Sequence, residues 1–169
     1  MKYLQTPLRE EDIEALSAGD MVYISGRIFC GRDAVLPKIV GLAEAGELEK
    51  SGLNLEGSVI FHTAVSPAGV GPTSSNKLEI ESSMEPLSRL AGVKMHLGKG
   101  AIKKETVMAL KENHAVFAVI PPVTALLESK TSGSRVAAYP ELGMEALYEV
   151  EADNYPVIIA AAHGESIYE

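Results

Sequence analysis

Apolar runs, broken by glycine, proline and polar turns, divide the chain into short segments of two periods. Residues 21–29, 58–63, 93–97 and 115–120 are short, apolar and rich in β-branched side chains, the signature of strands. The last is continuous, as in a strand buried on both faces. Helical spacing lies between them. Residues 8–16 place Ile13 and Leu16 on one face, and Gly19 can end that helix. Asp33 is expected to cap a helix running to about Ala45, with Pro37 in its first turn, Ile39, Leu42 and Ala43 inward, and Gly46 as the stop. A Gly-, Pro- and Ser-rich loop spans 64–75, followed by one helical turn at 76–80. Ser83 is then read as the cap of a separate helix, with Pro86 in its first turn and Leu87, Leu90 and Ala91 facing inward. Residues 106–112 form a further helix, Pro121-Pro122 breaks the strand before it, and 123–128 reads as another short helix. Strands are expected at 135–138, 145–151 and 157–161, with turns between them. Strands and helices alternate through the middle and strands gather at the end, so the expectation is an α/β fold with a mixed sheet, one domain over residues 1–169.

Composition narrows the partners. The 169 residues carry a formal net charge of -8, which disfavours nucleic acid and anionic membrane surfaces. Cys30 is the one cysteine, so neither an internal disulfide nor a cysteine-only metal site can form within one chain. His62, His96, His114 and His163 show no metal-ligand spacing, and no metal site is assigned. The first residues lack the apolar core of a signal peptide and no apolar run is long enough to span a bilayer, so a cytoplasmic protein is expected.

Three places combine small residues with a hydroxyl or a cation where a strand gives way to a loop: Gly31-Arg32-Asp33-Ala34, Gly71-Pro72-Thr73-Ser74-Ser75-Asn76-Lys77 and Gly98-Lys99-Gly100. Backbone N–H groups left open at helix starts attract anions, and adjacent cations add to that field. A pocket for a small polycarboxylate or a phosphate follows. Each element also has a plainer role. Thr73 and Ser74 can be helix caps, Lys77 a solvated lysine, and Arg32 a surface ion pair with Asp33. Lys99 between two glycines is less easily dismissed, because both neighbours are costly in entropy. Gly98-Lys99 lacks the spacing of a P-loop, and no dinucleotide fingerprint is present. Cys30 reads as a small hydrophobe, His62 as a structural residue and His163 as a turn residue.

As a set, these motifs resemble the β subunit, or C-terminal domain, of class I iron–sulfur hydro-lyases, the fumarate hydratases and L-tartrate dehydratases. The resemblance rests on Thr6-Pro7-Leu8, Gly19-Asp20-Met21-Val22-Tyr23-Ile24-Ser25-Gly26, Arg32-Asp33-Ala34, Gly71-Pro72-Thr73-Ser74-Ser75 and Gly98-Lys99-Gly100. Glu141-Leu142-Gly143-Met144-Glu145-Ala146 and Ala162-His163-Gly164 complete it, so that it covers nearly the whole chain. It implies a swivelling β/β/α domain and a reaction that hydrates or dehydrates a small dicarboxylate, with fumarate/malate first and L-tartrate as the alternative. A non-catalytic ligand-binding or assembly domain of the same fold is the reading from a different class. The resemblance also implies a [4Fe–4S] cluster held by a cysteine-bearing α subunit rather than by this chain, in a heteromer that can contain two copies of each subunit. By resemblance Thr73 is the proton-handling residue, and Arg32, Ser74, Lys77 and Lys99 bind substrate. Four places depart from the family: Lys77 replaces an arginine, Leu36 a histidine and Pro121-Pro122 a glycine pair, and the loop before Gly71, with Ala64-Val65-Ser66-Pro67, is shorter.

Overall fold

Period-two alternation sorts the side chains at the centre of the molecule. In the computed structural model, which describes residues 2–66, 69–70, 78–120 and 130–168, strands β1 (Lys2–Gln5), β2 (Met21–Cys30), β3 (Val59–Phe61), β6 (Met95–Gly98) and β7 (Val116–Val119) run parallel in that order. The long β9 (Leu147–Ala162) runs antiparallel to β2 along its length and also pairs with β7. The circuit β2–β3–β6–β7–β9 therefore closes on itself. Val22, Ile24, Ile28, Val59, Phe61, Met95, Leu97, Val116, Ala118, Val157 and Ile159 fill its inside. The intervening residues Phe29, Ile60 and Phe117 point the other way, onto Ile39 of α2 (Leu36–Glu44), Met84 and Leu87 of α3 (Leu78–Ala91) and Val107 and Leu110 of α4 (Lys104–Glu112). One apolar core is enclosed by strands and the other lies between sheet and helices. The mixed α/β architecture expected from the sequence is present.

The remaining elements are short: α1 (Glu10–Glu14), the antiparallel pair β4 (Val65–Ser66) and β5 (Gly69–Val70), β8 (Thr131–Ala138), the 3₁₀ segment η1 (Pro140–Glu145) and β10 (Glu165–Ser166). β8 and β10 both pair antiparallel with β9.

Three local expectations change. The strands expected at 145–151 and 157–161 are one strand, Leu147–Ala162, rather than two, and Glu145 belongs to η1. The turn-like Asp153-Asn154-Tyr155-Pro156 is a bulge: Ile24 pairs with Tyr155 and Gly26 with Ala152, so Asp153 and Asn154 share the single position Ser25. Asn154 takes φ +51°, and its N–H donates to Ser25 Oγ at 2.8 Å, which holds the extra residue in place. Residues 78–91 do not divide at Ser83 either. α3 is continuous from Leu78, with Pro86 inside it, because Ile80, Met84, Leu87 and Ala91 keep one buried stripe across the proline. Nor does Asp33 cap α2. The chain turns earlier, with Arg32 C=O accepting the N–H groups of Val35 and Leu36, and Val35 takes the cap position.

Pro37 in the first turn of α2 and Gly46 (φ +69°) after its end stand as read from the sequence. The short helix expected at 123–128 lies outside the described residues. Among the described residues, no helix is long and apolar enough to cross a membrane.

Candidate functional site

Because β2, β3, β6 and β7 are parallel and in register, their carboxyl ends form one edge. Cys30 pairs with Phe61, Phe61 with Leu97, and Gly98 with Val119. Loops leaving such an edge are where sheets of this kind bind ligands. Arg32 leaves β2 there and Lys99 leaves β6 there, so the structure brings these two sequence-derived candidates to the same side. With β3 between them, their strands lie about 10 Å apart. Thr73, Ser74 and Lys77 lie outside the described residues.

Lys99 is exposed in the turn that follows β6, and Gly100 beside it takes φ +80°, a conformation that asks for glycine. The loop is anchored at its far end. Glu81 of α3, nearly buried, accepts the Lys103 N–H at 2.8 Å and the Thr106 hydroxyl at 2.7 Å. That carboxylate caps α4 from a neighbouring helix and places a negative charge at its N-terminus, where the helix dipole favours it. It also fixes where the short Lys99 loop ends.

Arg32 is held from across the sheet. Its Nη2 donates to Glu145 Oε2 at 2.6 Å and its Nε to Glu145 Oε1 at 3.3 Å. The carboxylate raises the arginine's pKa above its ordinary value, chiefly through this hydrogen bonding and against a smaller opposing effect of burial. Glu145 thus engages Arg32 in a two-point fork, and the charge of adjacent Asp33 raises the arginine's pKa by a smaller amount. Glu145 ends η1, which is tied down by Leu142 packed on the helix-side core, by Lys38 Nζ 5.7 Å over the Tyr139 ring, and by the Tyr148 hydroxyl on Gly143 C=O at 3.2 Å. β4 lies against η1, so the chain following β3 passes the same corner. Nothing in the one-dimensional pattern singles out Glu145 as Arg32's partner. The link comes from β2 and β9 being antiparallel neighbours with Cys30 opposite Tyr148.

A second feature missed from the sequence lies beneath this edge. His62, just after β3, and His96, in the middle of β6, are both fully buried with ring centres 6.3 Å apart. His96 Nε2 shares a 2.8 Å hydrogen bond with Ser88 Oγ of α3. Burial, with a smaller contribution from His62, pushes the His96 pKa down to about 3, so it is neutral. Leu36, where the resemblance leads one to expect histidine, is buried in the helix-side core and packs there. His163 sits in a turn at φ +54°, as read from the sequence.

The residues present do not fit an iron–sulfur cluster. Cys30 is buried within the strand circuit, and burial pushes its thiol up to about 12, far from a ligating thiolate. Among the described residues no group of three or more His, Cys, Asp or Glu side chains is placed to hold a metal ion.

Comparison with known proteins gives a family and a set of relatives. A family model described as the fumarase C-terminus matches residues 3–169. A Methanocaldococcus jannaschii protein, provisionally named L(+)-tartrate dehydratase subunit beta, is 32% identical over all of this chain and 92% of its own length. The L(+)-tartrate dehydratase subunit beta of Escherichia coli K12 is 26% identical, over 98% of this chain and 86% of its own. The anaerobic class I fumarate hydratase of the same bacterium is 24% identical over 92% of this chain, which spans 30% of that longer protein.

Proposed function

The chain belongs to the fumarase C-terminus family, and from that premise we propose that it is the β subunit of a two-chain hydro-lyase acting on a small dicarboxylate. The observation that carries the reading is that Arg32 and Lys99 leave their strands on the same carboxyl edge of the parallel sheet. The relatives named as beta subunits, which match this chain along nearly their whole length, support a separate-subunit arrangement. The single domain over 1–169 is then a swivelling β/β/α lid that closes on a partner, and the partner, a cysteine-bearing α subunit, holds the [4Fe–4S] cluster.

In this reading the chain supplies the carbon-acid half of the reaction. Arg32 binds a substrate carboxylate, and Lys77 and Lys99 add positive field. Thr73 takes the proton from the carbon next to a carboxylate, with Ser74 beside it as a substrate contact. A threonine hydroxyl is a weak base, so the cations are required to stabilise the alkoxide as well as to bind substrate. Fumarate/malate is the first substrate reading. L-tartrate is the second, favoured by the name of the 32%-identical relative and by Lys77 in place of arginine.

The test is reconstitution. Co-expressed with a cysteine-bearing partner under anaerobic conditions, the chain should support dehydration of malate or L-tartrate. Purified alone, it should be colourless, iron-free and inactive on both. Turnover by the isolated chain, or none by the cluster-loaded complex on any C4 hydroxy acid, would overturn the reading.

A further inference from the structure

A guanidinium that must meet a substrate carboxylate faces a conformational problem. Free arginine side chains populate many rotamers, and that freedom is lost on binding. Here the freedom is already restricted. Glu145 engages Arg32 through Nε and Nη2 together, at 3.3 and 2.6 Å, an edge-on fork that fixes the guanidinium plane as well as its distance. Both side chains keep about a third of their exposure, 35% for Arg32 and 28% for Glu145, so the fork sits at the rim of the edge. An ion pair this exposed stabilises a fold little. Yet η1, which presents Glu145, is fastened by an apolar contact, a cation–ring contact and a hydrogen bond.

We propose that Glu145 is a positioning residue: it aims Arg32 so that the arginine meets the substrate carboxylate already in its binding orientation. The inference rests on the reading of Arg32 as the carboxylate binder. It adds a residue whose charge opposes the substrate's, and which therefore acts through geometry rather than attraction. Pre-organisation lowers the entropy lost on binding, and misaligned contacts carry penalties of about 10- to 100-fold.

The test is a double-variant cycle in the complex assembled with its α partner, using Glu145→Ala, Arg32→Ala and the double variant. Glu145→Ala should raise KM for the dicarboxylate about tenfold with a smaller effect on kcat. In the Arg32→Ala background the same change should add less than about twofold, since there is nothing left to aim. A second readout needs no turnover. In the isolated chain, the Arg32 Nε–H resonance, assigned by its loss in Arg32→Lys, should be rigid by heteronuclear relaxation, and Glu145→Ala should make it mobile. An unchanged KM and an unchanged Nε–H in Glu145→Ala, while Arg32→Ala is impaired, would overturn the positioning role and leave Arg32 as the carboxylate binder. A Glu145→Ala loss that persists in full without Arg32 would overturn it as well. If Arg32→Ala itself has normal KM and kcat, the carboxylate-binding reading falls, and the inference with it.

Discussion

At the amino end of β6, Lys94 meets Glu10 of α1 at 2.6 Å; at the carboxyl end of β2, Arg32 meets Glu145 at the same separation. The two pairs are built differently. The Lys94 side chain is 9% exposed and its partner 58%, a buried point charge tied to a solvated carboxylate. Glu10 also lies 3.7 Å from His114, just before β7, so it sits beside the amino ends of two parallel strands and is tied to the first of them by Lys94. Arg32 and Glu145 are both half-open and joined at two points, a pair with orientation rather than depth. A buried lysine needs its partner because an uncompensated interior charge is expensive. An exposed fork contributes little to stability and much to aim. One end of the sheet is built to hold and the other to present.

The hardest test falls on the role proposed for Thr73, which lies outside the described residues. Thr73→Ala in the reconstituted enzyme should lower kcat by about 10²- to 10⁴-fold, the range of a general base, with little change in KM or thermal midpoint. Steady-state kinetics and a melting curve on the same sample decide it. Full activity would reduce Thr73 to a helix cap.

The holding end should respond in the opposite sense. Glu10→Ala removes the carboxylate paired with buried Lys94 and should destabilise the chain by about 1–3 kcal/mol, below the usual range for a broken buried pair because Glu10 itself is solvent-screened. Denaturant titration would read this as a lower midpoint, and kcat should be unchanged. If Glu10→Ala impairs turnover without loss of stability, the two ends are not specialised as argued.

How far these ends were legible in the sequence differs. β3, β6 and β7 announce themselves as apolar runs because both their faces are buried, β2 shows itself by alternation, and β1, half-exposed and only four residues long, carries no such signal. The glycine–cation turns at the exits of β2 and β6 stand out by composition. The two halves of β9 read as separate strands because Asp153-Asn154-Tyr155-Pro156 has the composition of a turn. Only the opposing Ser25, far off in sequence, turns it into a bulge. α3 reads as two helices because Pro86 and Ser83 are local signals, whereas the stripe that unites them is satisfied by tertiary packing. Arg32 was identified and its partner was not, since the two are 113 residues apart and meet only through the antiparallel pairing of β2 with β9. Lys94–Glu10, 84 residues apart, was invisible for the same reason.

Between the two ends, the buried histidine in the middle of β6 sets how the fold answers acid. His96 titrates near 3 when folded, because burial disfavours its charge, and near the ordinary 6.5 when unfolded. The unfolded chain therefore binds the extra proton, and stability falls as pH drops from about 6.5 toward 3, with a limiting slope of about 1.4 kcal/mol per pH unit. Glu10 acts lower in the same direction. Its carboxyl is lowered from 4.5 chiefly by the Lys94 hydrogen bond, so its contribution is present above that value and lost below it. Chemical denaturation between pH 4 and 7 should show the upper slope, and His96→Asn should flatten it whatever its effect on absolute stability. An unchanged slope would mean that another group drives the acid limb.

The smallest expected effect asks whether the presenting end depends on shape as well as charge. Lys77, which lies outside the described residues, occupies a position where the resemblance leads one to expect arginine. Lysine offers a point charge and arginine a planar fork, so exchanging them keeps the field and changes the geometry. If fumarate or malate is the substrate, Lys77→Arg should leave kcat near its starting value and lower KM by about threefold, the worth of one modest hydrogen bond. If L-tartrate is the substrate, its additional hydroxyl is better met by the slimmer ammonium, and the same change should raise KM for tartrate by a similar factor. The two substrates measured side by side on one preparation separate these outcomes. A variant that loses turnover on both would mean that Lys77 serves a ligand of another kind, and a dehydratase for a different hydroxy acid would gain ground.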